Sequence, residues 1–332
     1  MCYTDLNNMF GRDFMKKAIS LLVCLIMVLG LFSGCKGEKK SVRIIAMGDM
    51  NTASLVHLMK NSAEGETRLN YTVNTGNTSQ SVIARLGTET EIAVVPASMA
   101  STLYNKMRGE VTVLATTYSG EISLIENGNE IKKISDLKDK VIHFSSRNTA
   151  GEYILRYLLK KNGVKDGQVS FKYSSDETAF LKDLTDGNID VCVATQGVKA
   201  KALAKNKNLR SVMNLSSDWN FVTEDAGYIE GCVVVTNEFL ENNKSTVKKL
   251  LKDIEKSVDI VKTHIDDTAN LCVEYKVFED IETAKTALKS ADFSFVDGKK
   301  MKKAIKKNLN ALHNAGMTSL GQKAPGDSFY YK

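Results

Sequence analysis

Four polar loops in this chain follow short apolar runs and lead into stretches with helical spacing, so they could bind a small polar molecule. They cover residues 48–52, 74–78, 96–98 and 145–149. The first turn of a helix presents unpaired N–H groups and about half a positive charge, which suits an oxyanion or a carbonyl oxygen. In the alternative interpretation, Asn51, Ser98 and Thr149 merely cap their own helices.

Two charged residues in these loops indicate opposite ligand charges. Arg147 lies near a predicted helix start, where a guanidinium opposes the helix dipole, so it would suit an anionic ligand. A solvated surface position is the alternative for Arg147. Asp49 favours an amine or a hydrogen-bonding heterocycle. If both faced one cleft, an aminosulfonate or a polar pyrimidine would satisfy them.

The sequence lacks the patterns typical of a catalytic or metal centre. Its four histidines show no metal-ligand spacing with one another or with cysteine. It has no P-loop, nucleophile elbow or paired-carboxylate motif. We therefore expect no catalytic residue, no metal and no cofactor.

The N-terminal region is typical of an export signal. A basic pair, Lys16 and Lys17, precedes an apolar run over 18–32 and then Ser33-Gly34-Cys35. The run is about 15 residues long, against roughly 20 for a membrane-spanning helix. A cysteine after two small residues resembles the bacterial lipobox, in which the cysteine thiol carries a diacylglyceryl group. A chance cysteine after an ordinary signal peptide is the alternative.

This pattern predicts the limits of the mature chain. Residues 1–34 form the signal peptide, and 35–40 form a lipidated tether. Residues 1–14 are neither basic nor apolar enough for such a signal. Translation therefore starts either at Met1 or at Met15, which would make the first fourteen residues an over-extended start.

The composition is that of a globular protein, with 43% apolar and 25% charged residues. The net charge of +6 is small, and the basic segment 299–307 lacks interleaved aromatic residues, which excludes a typical nucleic-acid site. Beyond Cys35, the mature chain has three cysteines, an odd number that cannot pair completely within the chain. We expect Cys192 and Cys232 to be small buried hydrophobic residues.

From residue 41 onward, apolar runs with strand character alternate with helical patterns. This order predicts two α/β lobes with largely parallel sheets, joined by crossings near 117–120 and 218–231. A single helix is predicted over 51–60, and no element in the polar stretch 216–228. Because ligands bind outside the carboxyl ends of such strands, we expect a cleft between the lobes.

Several motifs in this order resemble those of a known family. They are KISDLKDK at 133–140, SSRNT before a long helix at 145–149, EIAVVPASMASTLY at 91–104, DGNID at 186–190 and GQKAPGDSFYY at 321–331. Together they are similar to the substrate-binding lipoproteins of ABC importers, in the nitrate, sulfonate, taurine and thiamine-precursor group, and to its Firmicute-type branch. The resemblance covers about residues 41–332.

The resemblance implies a two-lobed α/β fold of the type II periplasmic-binding-protein class, with the ligand cleft between the lobes. Lobe 1 would comprise 41–117 and 229–332, and lobe 2 would comprise 118–228. Two pocket loops depart from the family pattern, because Gly48-Asp49 and Gln196-Gly197 stand where the branch usually has Gly-Pro and Gln-Pro. The identity of the ligand therefore does not transfer.

Family geometry and the chemistry of the loops together give the candidate binding residues. They are Asp49, Met50, Asn51, Thr75, Gly76, Pro96, Ala97, Ser98, Tyr118, Ser145, Ser146, Arg147, Asn148, Thr149, Gln196 and Cys232. Tyr118 and Trp219 lie near the two crossings, where an aromatic ring either stacks on a ligand or packs in the core.

The expected function is an extracytoplasmic solute-binding protein, tethered to the membrane through lipid at Cys35. Its partners would be a small polar or anionic solute, an ABC permease and the ATPase of that permease, and the protein itself would be a monomer. Two alternatives stay open. One is an enzyme on the same fold, such as a lyase of menaquinone synthesis, and the other is a ligand sensor for a receptor kinase.

Overall fold

Two β-sheets organise the part of the chain that the structure, a computed structural model, describes: residues 39–332 except 77, 166, 322 and 323. The predicted signal peptide and Cys35 lie outside the described residues. The strands are β1 (Ser41–Met47), β2 (Asn70–Gly76), β3 (Ile92–Val95), β4 (Val111–Ser119), β5 (Ile122–Asn127), β6 (Val141–Phe144), β7 (Ser170–Tyr173), β8 (Val191–Thr195), β9 (Leu209–Asn214), β10 (Ile229–Thr236) and β11 (Asp292–Asp297).

Thirteen helices are found in this part of the chain. They are α1 (Gly48–Ala53), α2 (Val56–Ala63), α3 (Ser79–Arg85), α4 (Ala97–Lys106), α5 (Ala150–Lys161), α6 (Glu177–Thr185), α7 (Gln196–Lys205), α8 (Leu215–Val222), α9 (Asn237–Asn242), α10 (Lys244–Thr263), α11 (Ile265–Glu274), α12 (Ile281–Lys289) and α13 (Gly298–Asn314). None of the helices described is both long enough and apolar enough to cross a membrane.

The sheets define two lobes. The six-stranded sheet, in the order β2-β1-β3-β10-β4-β11, forms lobe 1 with the helices packed on it. The five-stranded sheet, in the order β7-β6-β8-β5-β9, forms lobe 2 with α5 to α8. The chain passes from β4 to β5 through residues 120–121 and returns from α8 to β10 through 223–228. The predicted two-lobed α/β fold is confirmed.

The sheets are mixed, so the prediction of largely parallel sheets is wrong. In lobe 1, β1 is parallel to β2 and β3, whereas β10 is antiparallel to β3 and β4, and β11 is antiparallel to β4. In lobe 2, β5 is antiparallel to both β8 and β9. The strands that enter and leave the crossings run against their neighbours, a feature that hydrophobic runs alone do not reveal.

Three local elements differ from prediction. The helix expected over 51–60 is divided into α1 and α2, since Ser54 and Leu55 form a tight turn in which the Ser54 hydroxyl donates to the Asn51 carbonyl oxygen. The stretch 216–228 contains most of α8, which begins where the side chain of Asn214 accepts from Ser217 N–H. Strand β11 lies in a segment with no predicted strand.

Burial of apolar side chains holds each sheet between layers of helices. In lobe 1, the apolar stripe of α10 is buried against the sheet, with Val247, Leu250, Ile254 and Val258 inaccessible to solvent. The lobes also share contacts, because α7 packs on α12 and α13 packs on α5. Residues 40–332 consequently form one compact unit.

Candidate functional site

Helix α7 brings the two lobes together where strand ends face each other. It begins directly after β8, and its first turn lies against α1, which follows β1. A methyl group at Gly197 would lie 3.3 Å from Oδ2 of Asp49 and 3.8 Å from Cγ of Met50. One turn further, Ala200 is buried within the core of lobe 1. The carboxyl ends of β1 and β8 therefore border the same space.

An ion pair joins the lobes at this contact. Nζ of Lys201 in α7 lies 2.7 Å from Oδ2 of Asp49, and both side chains are about one-fifth exposed (20% and 18%). The same ammonium group lies 5.2 Å from the centre of the Phe278 ring. At the far end of α7, Lys205 pairs with Glu279 of lobe 1 at 2.8 Å, but this pair is solvated. Because solvent screens exposed pairs, the Asp49–Lys201 pair contributes more to the lobe contact.

Two carboxyl groups near this contact form no ion pair with any described residue. Glu230, in β10, is buried, and Glu177, at the start of α6, is half-buried. Burial raises the pKa of Glu177 to about 7, Asp49 adds to the increase, and Lys201 opposes it. Burial likewise raises the pKa of Glu230 to about 7, opposed by a hydrogen bond from Tyr228 and reinforced by Glu177.

Tyr118 lies among three carboxyl groups from different elements. Its ring is buried at the end of β4 and packs on Phe293, with the ring centres 5.5 Å apart. Burial raises the pKa of its hydroxyl well above the usual value, and the charges of Glu230, Asp49 and Glu177 add to the effect. Acidic groups of both lobes therefore act on the Tyr118 hydroxyl.

Two glycines allow close approach of the chain where it crosses between the lobes. A methyl group at Gly231 would lie 2.1 Å from Oγ1 of Thr117, and one at Gly120 would lie 2.6 Å from Cγ of Glu230. The pairing of β4 with β10 is irregular at Gly231, as in a β-bulge. Only a residue without a side chain fits at Gly231.

The amide of Gln196 lies beside this crossing. Its Oε1 accepts from Glu121 N–H and lies 3.1 Å from the point where a Gly120 Cβ would stand. Its Nε2 is buried without a hydrogen-bond partner among the described residues. An unpaired buried donor is costly, so this group is available to an acceptor placed between the lobes.

The lobe 1 residues predicted to bind a solute differ in exposure. Five of them are buried: Met50, Asn51, Ala97, Ser98 and Tyr118. Gly76 is also buried, beside α3, and Pro96 is half-buried. Thr75 is exposed, and its hydroxyl lies 3.0 Å from that of Thr52. Asn51 and Ser98 lie inside their helices, so neither caps a helix start. The Asn51 amide donates to the Met47 carbonyl oxygen, and its Oδ1 has no partner among the described residues.

In lobe 2, the predicted loop 145–149 connects β6 to α5. Thr149 caps α5 by accepting from Glu152 N–H, as the alternative interpretation holds, and Asn148 N–H donates to the Glu152 carboxylate. The Arg147 guanidinium is exposed and lies 4.1 Å from the centre of the Tyr173 ring. Ser145 is half-buried and Ser146 is exposed.

Two further candidates lie in the core. Cys232 is fully buried in β10, between β3 and β4. Trp219 is fully buried in lobe 2, where its ring meets Tyr157 edge-on at 5.5 Å and its Nε1 donates to the Gly227 carbonyl oxygen. Trp219 therefore follows the core-packing alternative. The role of the other predicted residues in binding stays a prediction.

Sequence reasoning missed Glu177, Glu230 and Lys201. The carboxylate of Glu230 interrupts an otherwise apolar strand, and that interruption was the available signal. Glu177 follows the helix cap Asp176, a position where an acidic residue is ordinary, so it gave no such signal. No three histidine, cysteine, aspartate or glutamate side chains among the described residues converge closely enough to hold a metal ion.

Comparison with known proteins places these features in a family context. The family model described as NMT1/THI5 like matches residues 97–267, about half of the chain. No curated protein matches the sequence.

Solved structures share the fold at low sequence identity. An ABC transporter from Parabacteroides distasonis has a TM-score of 0.71 at 16% identity, covering 88% of this chain and 99% of its own. The periplasmic aliphatic sulphonate binding protein SsuA from Escherichia coli has a TM-score of 0.68 at 11% identity, covering 88% of this chain and 92% of its own. The periplasmic nitrate-binding protein NrtA from Synechocystis PCC 6803 has a TM-score of 0.59 at 12% identity, covering 74% of this chain and 69% of its own.

Proposed function

Since the chain belongs to the NMT1/THI5-like family, we propose that it is the solute-binding component of an ABC importer. It captures a small polar solute between the two lobes and presents the closed form to a permease. Proteins of similar fold include a binding protein for aliphatic sulphonate and a binding protein for nitrate. The motifs noted in the sequence, from residue 91 to residue 331, support the same role.

The observation that carries this proposal is the docking of α7 on lobe 1. Gly197 and Lys201 of lobe 2 contact Asp49 of lobe 1. Two polar atoms that have no partner among the described residues, Gln196 Nε2 and Asn51 Oδ1, lie buried nearby. Polar groups buried at a joint between two lobes are expected where a ligand fills the joint. Hinge bending at residues 120–121 and 223–228 would open and close it.

A thermal-shift screen tests the proposal. The full chain is heated with sulfonates, nitrate, bicarbonate, pyrimidines, flavins and organic amines, each in excess. A solute at a hundredfold excess over its Kd stabilises the folded state by about 2.7 kcal/mol, which raises the Tm by several degrees. No shift with any solute, together with turnover of a candidate substrate, would replace the binding function with an enzymatic one.

Lys201→Met is expected to loosen the closed arrangement of the lobes. The substitution removes the cation that faces Asp49 and Glu177, so partly buried carboxylates are left facing each other. We expect a larger radius of gyration in small-angle X-ray scattering of the solute-free protein. Lys205→Met is the matched control in the same helix, because its pair with Glu279 is solvated. An unchanged radius for Lys201→Met would show that this pair does not hold the lobes together.

We also propose that Cys35 anchors the protein to the extracytoplasmic face of the membrane. The residues before it have the order of a lipoprotein signal. A diacylglyceryl group supplies two chains, which is what stable anchoring requires. Cys35→Ser should lose incorporation of labelled palmitate in the native host, whereas Cys2→Ser should keep it. Equal labelling of Cys35→Ser and the wild type would contradict the anchor.

A further inference from the structure

The positive charges where the lobes meet are already matched by carboxylates. Lys201 pairs with Asp49, and Lys199 pairs with Glu121. Glu177 of lobe 2 and Glu230 of lobe 1 are left without an ion pair among the described residues. Two carboxyl groups on opposite lobes thus lack an ion-pair partner in the described part of the chain.

One of these carboxyl groups, Glu230, lies near a buried amide whose donor has no partner among the described residues. Gln196 Oε1 and Glu230 Cγ lie 3.1 and 2.6 Å from the same point, the ideal Cβ position of Gly120. Gln196 is only 1% exposed, its Oε1 accepts from Glu121 N–H, and its Nε2 has no partner in the part of the chain that the structure describes. The following residue, Gly197, contacts Asp49. The first turn of α7 therefore lies between two acidic residues of lobe 1, Asp49 and Glu230, and carries a buried donor that no described residue accepts from.

The charged surroundings of the two carboxyl groups favour an incoming cation. The charges of Asp49 and Lys201 act on Glu177, and the charge of Glu177 acts on Glu230. Glu230 in turn accepts a hydrogen bond from Tyr228 and affects Tyr118 and Cys232. Burial raises the pKa of both carboxyl groups to about 7, and a negative charge adds to the increase in each case: that of Asp49 at Glu177 and that of Glu177 at Glu230. An oxyanion placed there would add to the repulsion, whereas a protonated amine would relieve it. An acceptor on the same solute would satisfy Gln196.

We propose that the solute is a small organic cation, whose protonated nitrogen is received by Glu177 and Glu230 and whose acceptor group is bound by Gln196. The proposal rests on the solute-binding function proposed above and specifies the charge of the solute. It assigns ligand contacts to two residues outside the predicted site. It also opposes the anionic class that Arg147 indicated, since that guanidinium is exposed and stacked on Tyr173.

Proton linkage distinguishes the two charge classes. A bound cation lowers the pKa of the two carboxyl groups, so binding releases protons and the affinity rises with pH around 7. With one carboxyl group of pKa about 7, the affinity for a cation should rise about tenfold between pH 6 and pH 8. An anion would bind with proton uptake and would lose affinity over the same range.

The experiment compares ethanolamine, choline and agmatine with ethanesulfonate, nitrate and sulfate, using the full chain. Thermal shift identifies the solutes that bind. Titration calorimetry at pH 6 and pH 8, repeated in buffers of different ionisation enthalpy, then measures how many protons are released or taken up on binding. We expect stabilisation by at least one cation and by no anion, with proton release. Glu177→Gln should lower the affinity for that cation at least tenfold and reduce the proton release. Glu255→Gln, at an exposed position of α10, should change neither quantity.

Each outcome bears on the proposal. Stabilisation by an anion, with affinity falling as pH rises, overturns the cationic solute and leaves the solute-binding function standing. Stabilisation by no cation in the set also overturns it. If the wider screen of solutes produces no shift either, the solute-binding function fails as well. If Glu177→Gln does not fold, Glu230→Gln provides the same comparison.

Discussion

Replacing Gly231 by alanine is expected to destabilise the fold by about 3 kcal/mol or more. The new methyl group would lie 2.1 Å from Oγ1 of Thr117 and 2.6 Å from Cδ1 of Tyr118, far inside van der Waals contact. Both neighbours are buried in β4, which is enclosed by β10 and β11. Overpacking of a close-packed core usually costs about 1–3 kcal/mol, and here backbone must also move at the crossing.

Urea denaturation measures this effect. Gly326→Ala is the matched control, because a methyl group there meets no atom within 4 Å and the backbone has an ordinary φ of −71°. A second variant tests the cause. Thr117→Ala removes a hydroxyl that has no hydrogen-bond partner among the described residues, and it should recover part of the stability lost in Gly231→Ala. Equal midpoints for Gly231→Ala and Gly326→Ala would contradict the close approach of β4 and β10.

The second large effect is a pH-dependent gain in stability for Glu230→Gln. The carboxyl group of Glu230 has a pKa of about 7 in the folded state, against an ordinary value of 4.5. A folded-state pKa that is raised favours the folded form below the ordinary pKa, and this contribution is lost as pH rises through about 7. At pH 8 the wild type must bury an ionised carboxylate, whereas glutamine stays neutral and keeps its contacts. We expect the variant to gain about 2 to 3 kcal/mol relative to the wild type between pH 5 and pH 8.

Thermal melting of the solute-free protein at both pH values checks this expectation. The variant should melt several degrees higher than the wild type at pH 8, and the difference should be much smaller at pH 5. Glu255→Gln controls for the loss of one surface charge, because that carboxylate is exposed on α10. If the difference in Tm between Glu230→Gln and the wild type is the same at both pH values, Glu230 is not a buried titrating group.

Local chemistry made much of the fold predictable. The alternation of strands and helices from residue 41 onward agrees with prediction, and the α5 start was visible in Thr149 and the helical spacing after it. These features depend on neighbours a few residues away, which the sequence displays directly. The directions of β5 and β10 depend instead on the path of the chain between lobes, and no short pattern encodes that path.

The site was predictable only at the level of loops. Asp49 and Gln196 were expected near the ligand, and the structure places both where the lobes meet. The partner of Asp49, Lys201, is more than 150 positions away and lies on a helix with other lysines, so nothing local distinguished it. Glu177 occupies an ordinary first-turn position, and only its burial and the charge of Asp49 on the opposite lobe make it unusual.

The central claim is that a solute is captured by closure of two lobes, and a distance between the lobes tests it most directly. Cysteines for spin labels replace Glu64 after α2 in lobe 1 and Asp183 in α6 of lobe 2, both exposed, whereas the described native cysteines are buried. Pulsed electron–electron double resonance then measures the distance between the labels in the full chain alone and in the chain saturated by the most stabilising solute of the screen. We expect a broad distribution of label distances without the solute, and one narrow population at the shortest distances with it. An identical distribution with and without that solute would contradict capture by closure.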